Sequence, residues 1–336
     1  MNIAIVGATG NVGRKIIEIL EKKQINIENL FLLASKKSEG KKINYNGKEH
    51  TVTNLEKFDF SSVKIAFFAA GSEVAEKWAH IAAEKTIVID NSKYFRKDPD
   101  IPLIVPEVNP KKLSDVKNKN IIANANCSVI PVVVALKPLH DLYNINRIVA
   151  STYQSVSGAG KSAMDELLSQ TEDYFQNKEI DSKNFTKQIA FNAIPHIDSF
   201  LENGYTKEEQ KTTDEIKKIL DKKIKVTSTC VRIPVLVSHC ISANVEFNKK
   251  CDLDEIRKVL STSPGCKVID EHQDGGYITP VEAEDKFETF ISRIRLDESR
   301  ENTINLWIVS DNLVKGAALN AVQIAESLIT NDFYGR

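Results

Sequence analysis

Residues 2–13, NIAIV followed at once by GATGNVG, constrain this chain more than any other stretch. The apolar run reads as a short buried strand, and Arg14 to Lys22 reads as an amphipathic helix. Between them Gly7, Gly10 and Gly13 follow the G-x-x-G-x-x-G variant of the dinucleotide fingerprint. Glycines permit the tight turn and the close approach of a pyrophosphate to the helix N-terminus. A glycine-rich strand–helix turn can exist with no ligand. Lying between a first strand and an amphipathic helix, this one predicts a nucleotide site.

The second strand, Asn29 to Leu33, ends in Ala34-Ser35-Lys36-Lys37-Ser38. A site selective for NAD places an acid here to hold the ribose 2′-hydroxyl, and none is present. Two lysines and two serines suit a 2′-phosphate, so the expected cofactor is NADP(H). Asn46-Gly47 signals a hairpin. Further buried strands are expected at Ile65 to Ala70, Thr86 to Ile89 and Ile121 to Ala123, with Arg96 in a loop as a candidate phosphate or carboxylate clamp. This strand–helix alternation over the first ~140 residues predicts a doubly wound parallel sheet.

The last of those strands leads into Asn124-Ala125-Asn126-Cys127-Ser128, followed by an apolar helix with Pro131 in its first turn. A cysteine there faces the positive end of a helix dipole and free backbone N–H groups, a setting that lowers a thiol pKa and can hold an oxyanion. Most free cysteines are only small buried hydrophobes, so the local pattern leaves both readings open.

Composition narrows the partners. A net charge of −1 gives no reason to expect nucleic acid or an anionic membrane. No apolar run reaches the ~18 residues that span a bilayer. The N-terminus enters a strand without a leader pattern, which predicts a cytoplasmic protein. The five cysteines show no C-x-x-C spacing, against a zinc site or a disulfide framework.

After Arg147 the pattern changes. Ile148 to Val156 reads as a longer strand, and Ser157-Gly158-Ala159-Gly160 opens a helix from Lys161 to Phe175. The GAGKS here is not a P-loop, because Ser155 stands where that motif needs glycine. A helix from Thr206 to Lys222 carries a capping box, Thr206 with Glu209. Its Glu208 and Lys211 share a face, as a bare ion pair also would. Four later strands (Val226–Ile233, Ser238–Phe247, Phe287–Leu296, Thr303–Ser310) and one helix near Leu253 to Leu260 predict an α+β domain with a largely antiparallel sheet. A last helix, Gly316 to Ile329, is expected to pack on the first domain.

An NADP site, a candidate thiolate and a histidine near arginine point to hydride transfer at an aldehyde through a covalent thiohemiacetal and thioester. That chemistry needs a proton shuttle, and His239, seven residues after Arg232, is the histidine with such company.

At this point the residues carry a resemblance. GATGNVG, ASKKSEGKK, FFAAGS, DNSKYFRKDPDIPLIVPEVN, NANCS, TYQSVSGAG, IPHID, GYTKEE, CVRIPVLVSHC and DNLVKGAALNAVQIAE together resemble the aspartate-β-semialdehyde dehydrogenases nearly end to end. The most specific feature is NANCS followed 27 residues later (154 − 127) by the glutamine of TYQSVSGAG. The resemblance implies NADPH-dependent reductive dephosphorylation of L-aspartyl-4-phosphate to L-aspartate-4-semialdehyde, serving lysine, threonine and methionine synthesis. It implies Cys127 as nucleophile, His239 as acid–base group and Gln154 as the residue that orients the substrate. Arg232 would hold the α-carboxylate and Glu208 the α-amino group, with Arg96, Asn126 and Lys211 on phosphate. Gly7, Thr9, Gly10, Asn11, Val12 and Gly13 would hold the pyrophosphate, and Ser35, Lys37 and Ser38 the 2′-phosphate. Ser157, Gly158 and Asn312 would lie at the nicotinamide end.

It further implies a Rossmann-type domain of residues 1–126 with 313–336, a catalytic and dimerisation domain of residues 127–312, and a homodimer or dimer of dimers. No metal, nucleic acid or membrane is expected. Two positions depart from the family pattern. Lys37 stands where arginine is usual, giving a point charge instead of a planar fork. Gln210 replaces a bulkier residue. Two alternatives are an enzyme like N-acetylglutamyl-phosphate reductase and a catalytically silent NADP-binding regulator. The first typically shows glycine and tyrosine around its cysteine, where Asn126 and Ser128 stand here.

Overall fold

The structure, a computed structural model, describes residues 1–330. The part of the expected first-domain tail beyond Thr330 lies outside the described residues. Two compact units emerge: Met1–Ala125 with the chain from Ala317 onward, and Asn126–Gly316.

The first unit is built on a seven-stranded parallel sheet. Its spatial order is Thr53–Asn54, Asn29–Ala34, Asn2–Val6, Ile65–Phe68, Ile87–Asp90, Ile121–Asn124, Leu103–Ile104. The strands Ile65–Phe68 and Ile87–Asp90 are buried at every position. Such runs lack the alternation of a one-sided sheet because helices cover both faces. The chain leaves Asn2–Val6 toward one edge and returns to pair Ile65–Phe68 on its other side. That reversal is a topological switch point, where open α/β sheets bind ligands at the carboxyl ends of the strands. The predicted hairpin forms, with Asn46 and Gly47 at φ 50° and 73°, the left-handed pair a type I′ turn requires.

The first helix spans Asn11–Lys22 and starts three residues earlier than its sequence pattern indicates. Gly13, a residue that argues against helix on propensity alone, sits inside its first turn. The reason is contact: a Cβ on Gly13 would lie 2.2 Å from the carbonyl oxygen of Gly7. Gly7 itself has φ 87°, and its own Cβ would meet the Ala69 oxygen at 2.5 Å. We expect Gly13→Ala to weaken dinucleotide binding by at least about tenfold, because the helix N-terminus must back away from the turn. Titration of the purified protein with NADPH checks this, and wild-type affinity would count against it.

The second unit holds a six-stranded sheet ordered Lys225–Arg232, Ile145–Gln154, His239–Phe247, Thr303–Ser310, Thr289–Leu296, Cys266–Val268. Its outer pairs are parallel and its three central pairs antiparallel. Helix Lys207–Ile219 carries the predicted capping box, formed by Thr206 and Glu209. Glu209 is buried and also accepts from Cys230 N at 3.0 Å, while its carbonyl accepts from Ser228 Oγ at 3.1 Å. This helix is thereby pinned to the strand that ends in Arg232.

Two further boundary differences bear on the site. The strand expected to reach Val156 ends at Gln154. The final α-helix begins at Leu319, preceded by a π-helical turn over Val314–Ala318. Gly316 N donates to the Asp311 oxygen at 2.9 Å, the five-residue spacing of that turn.

Candidate active site

In the second unit, a loop–helix junction presents Cys127. Helix Val129–Tyr143 follows it, with Ser128 at the N-cap and Pro131 near the start. Asn126 shapes the turn: its Oδ1 accepts from Ser128 N at 2.9 Å and from Ser128 Oγ at 2.8 Å. The Asn126 N–H donates to Glu215 Oε2 at 2.7 Å, and its Nδ2 donates to Glu208 Oε1 at 2.9 Å. Both ends of this side chain are thus engaged within the protein.

The Cys127 Sγ lies 3.3 Å from Nε2 of His239. His239 is wholly buried at the start of its strand and follows Ser238, whose φ is 75°. Burial first, then the charge of Arg232, pushes the imidazole pKa down to about 3; Glu208 and the Ser238 backbone only partly offset them. The ring is therefore neutral near pH 7. Its other nitrogen, Nδ1, receives the backbone N–H of Ser155 at 3.1 Å.

Arg232 closes the strand beside Gln154, its register partner. Its Nη1 donates to the Ser155 oxygen at 2.6 Å. Burial pulls its pKa below the ordinary arginine value, whereas Glu208 and Cys127 favour the charged form. Gly158 leaves both groups room: a Cβ there would lie 3.2 Å from Arg232 Nη1 and 3.3 Å from His239 Nε2. Gln154 is buried, accepting from Thr152 Oγ1 at 3.0 Å and donating to Glu208 Oε1 at 3.4 Å.

Glu208 is the hub of the polar cluster and also pairs with Lys211 at 2.5 Å. Lys211 reaches Asp198 at 3.0 Å as well. Burial opposes its charge, but Glu208 and Asp198 outweigh burial and hold its pKa above the usual lysine value. Gln210 Nε2 donates to Asp214 Oδ1 one turn along the helix at 2.7 Å. Asn312, buried, accepts through Oδ1 from Ser238 N at 2.8 Å and from Ser155 and Ser157 Oγ at 3.1 Å each. Its amide thus holds the loops on either side of His239.

Gly316 is a residue that sequence reasoning did not single out for this site. A Cβ on it would meet Cys127 at Cβ (3.0 Å), Cα and the carbonyl oxygen. Its φ lies outside the left-handed region, so alanine is conformationally acceptable and only Cys127 stands in the way. We expect Gly316→Ala to lower kcat about tenfold, since displacement of a nucleophile by a few tenths of an ångström costs catalysis steeply. Steady-state rates of the folded variant test this; an unchanged kcat would refute it.

In the first unit, a cleft of ≈ 720 Å³ opens at the switch point. Gly7, Thr9 and Gly10 line it at one side, and Ser35, Lys36 and Lys37 at another. Ser38 completes the same short turn, Lys36–Ser38. Asn11, Val12 and Gly13 belong to the first helical turn behind it. The cradle fits a dinucleotide: glycines where a Cβ would strike backbone, a helix start, and cations at the second strand's end. Asn54, Glu73, Lys77 and Trp78 also line the cleft, and sequence reasoning did not find them. Arg96 belongs to this unit, donating from Nε to the Asn124 oxygen at 2.8 Å and from Nη2 to the Asn91 oxygen at 3.1 Å. Among the described residues there is no group of three or more metal-ligating side chains, and no helix is long and apolar enough to cross a membrane.

Residues 2–116 match the family described as "Semialdehyde dehydrogenase, NAD binding domain", and residues 136–315 match "Semialdehyde dehydrogenase, dimerisation domain". The aspartate-semialdehyde dehydrogenase of Aquifex aeolicus is 50% identical over 331 residues, covering 97% of each chain. That of Rickettsia bellii is 49% identical, covering 98% of this chain and 97% of its own. A crystal structure of aspartate semialdehyde dehydrogenase II from Vibrio cholerae superposes with a TM-score of 0.97 at 48% identity, covering 99% of both chains. A second structure of that protein, complexed with ASA, gives the same TM-score of 0.97 at 47% identity, again over 99% of both.

Proposed function

From the premise that the chain belongs to the aspartate-semialdehyde dehydrogenase family, we propose that it reduces L-aspartyl-4-phosphate to L-aspartate-4-semialdehyde, releasing phosphate, within amino-acid biosynthesis. The observation that carries this reading is the 3.3 Å approach of the Cys127 sulfur to a buried, neutral His239, beside the Arg232 guanidinium.

The Cys127 thiolate attacks the acyl carbon; the carbon–sulfur bond forms as the carbon–oxygen bond to phosphate breaks, leaving a thioester. The Gly7–Gly13 turn would hold NADPH, with Ser35, Lys37 and Ser38 toward its 2′-phosphate, and the bound cofactor would supply the reducing hydride. Collapse of the resulting thiohemiacetal alkoxide expels the sulfur and frees the aldehyde. His239 is the acid–base group and serves the oxygen that bears charge in these steps. Arg232 holds the α-carboxylate bidentately, Glu208 takes the α-amino group, and Gln154 orients the substrate as a neutral amide. Ser157, Gly158 and Asn312 are assigned to the nicotinamide end. Asn126 and Lys211 are assigned to phosphate, with Arg96 placed there by the resemblance alone.

The purified protein, given the semialdehyde, phosphate and NADP, is expected to form NADPH only when phosphate is present. A protein that binds NADPH yet shows no such turnover would be the silent dinucleotide binder. We also expect Lys37→Ala to lower kcat/KM for NADPH by about tenfold while leaving that for NADH unchanged, because only the former carries the 2′-phosphate. Equal losses with both cofactors would remove Lys37 from that role.

A further inference from the structure

Glu208 and Lys211, which the proposed function gives to different groups of the substrate, hold one another in this structure. The Lys211 ammonium stands 2.5 Å from Glu208 Oε2 and 3.0 Å from Asp198 Oδ2. Glu208 Oε1 accepts from Asn126 Nδ2 at 2.9 Å and from Gln154 Nε2 at 3.4 Å. Both oxygens of this carboxylate are therefore engaged before any ligand arrives. The cluster is largely closed to water: Glu208 is buried, and the Lys211 side chain keeps 15% of its exposure.

We propose that the α-ammonium group of the substrate displaces Lys211 from Glu208, so that recognition of the amino group delivers the Lys211 charge to phosphate. The inference rests on the proposed assignment of Glu208 to the amino group and Lys211 to phosphate, and it adds a thermodynamic coupling between those two subsites.

Sharing is the other arrangement, and electrostatics oppose it. Two ammonium groups on Glu208 Oε2 would stand close together where little water screens them, and like charges repel there more strongly than at a surface. Arg232 already bears on Glu208 as a further cation. Asp198, in the IPHID stretch, gives the displaced group a partner to stay with, because its contact to Lys211 does not pass through Glu208. Asp198 is thereby a positioning residue. Lysine carries three donors on a flexible stem. Lys211 can keep its bond to Asp198 and turn the donor released by Glu208 to a phosphate oxygen. In the ligand-free site the same charge faces two carboxylates at once, which leaves little of it to attract an anion. Such coupling is reciprocal: phosphate tightens the semialdehyde by the factor that the semialdehyde tightens phosphate.

Titration calorimetry of the full-length Cys127→Ala protein in phosphate-free buffer tests this, since without the sulfur no thiohemiacetal forms. Inorganic phosphate is expected to bind about tenfold more tightly with saturating L-aspartate-4-semialdehyde than without it. 4-Oxobutanoate keeps the carboxylate and the aldehyde but lacks the amino group, and should leave phosphate affinity within about twofold. Lys211→Met in the same background should bind the semialdehyde alone at least as tightly, because the competitor for Glu208 is gone, and should lose the gain from phosphate. Asp198→Asn should weaken semialdehyde binding about fivefold without phosphate and less with it, and Asp198→Glu should restore it. Independent binding of the two ligands, equal tightening by 4-oxobutanoate, or weaker semialdehyde binding in Lys211→Met would overturn the proposal. Equal weakening by Asp198→Asn with and without phosphate would overturn the role of Asp198. If the two ligands bind independently while the wild type still turns over with phosphate, only the coupling fails. A protein that binds neither ligand and shows no turnover would overturn the proposed function as well.

Discussion

Cys127→Ala is expected to lower kcat by at least about three orders of magnitude while leaving NADPH binding at its wild-type value. Without the sulfur no thioester can form, and hydride would have to reach an acyl phosphate with no covalent intermediate. Alanine at this position leaves the rest of the reactive setting intact. His239 stays held by Ser155, and Arg232 stays held by the Ser155 oxygen. Cys127 is only partly buried, so its truncation opens little void and should cost stability no more than about 1 kcal/mol. Loss of activity with an unchanged thermal midpoint is therefore the anticipated pair of results. A variant keeping more than a tenth of wild-type kcat would remove Cys127 as the acyl carrier.

Arg232→Lys should reduce kcat/KM for the semialdehyde by about 10²–10³-fold, since disrupting a buried charge-paired contact costs about 3–4 kcal/mol. The charge survives this change; the planar fork does not. Lysine cannot donate to the Ser155 oxygen and grip a carboxylate through two parallel bonds at once. It also brings a compact, strongly hydrated ammonium into a buried position facing Glu208. Lys225→Arg, at the exposed start of the same strand, provides the control and should stay within about twofold of wild type. Kinetic constants near normal for Arg232→Lys would rule out a carboxylate clamp at this residue.

How much of this was readable in the sequence depended on whether the information sits in side chains or in backbone groups. The parallel sheet was legible because both its faces are covered, which leaves short continuous apolar strands punctuated by glycine turns. The capping box of Thr206 and Glu209 was legible because it is a side-chain signature. Cys127 and His239, proposed to react, and Arg232, proposed to bind substrate, were singled out through their types and through resemblance. Ser155, Glu215 and Gly316 were not. Ser155 acts through its N–H and carbonyl, Glu215 receives the N–H of Asn126, and Gly316 matters for the atom it lacks. The π turn before the last helix escaped for a related reason. Five-residue hydrogen-bond spacing leaves no periodic mark, and Gly316 read as a helix start instead of its preceding turn. Trp78 and Lys77 looked like part of an ordinary helix, and only the fold brings them to the cleft of Gly7 and Lys37.

The division into two compact units has a bearing on how such a protein can change over time. The residues lining the dinucleotide cleft, from Val6 to Trp78, all belong to one unit. Cys127, His239, Arg232 and Glu208 all belong to the other. Mutational drift at Ser35, Lys36 and Lys37 can retune the coenzyme bound while the hydrogen bonds that fix the thiol and imidazole are inherited untouched. Selectivity for the 2′-phosphate and acyl-transfer chemistry thus rest on different residues of a single polypeptide.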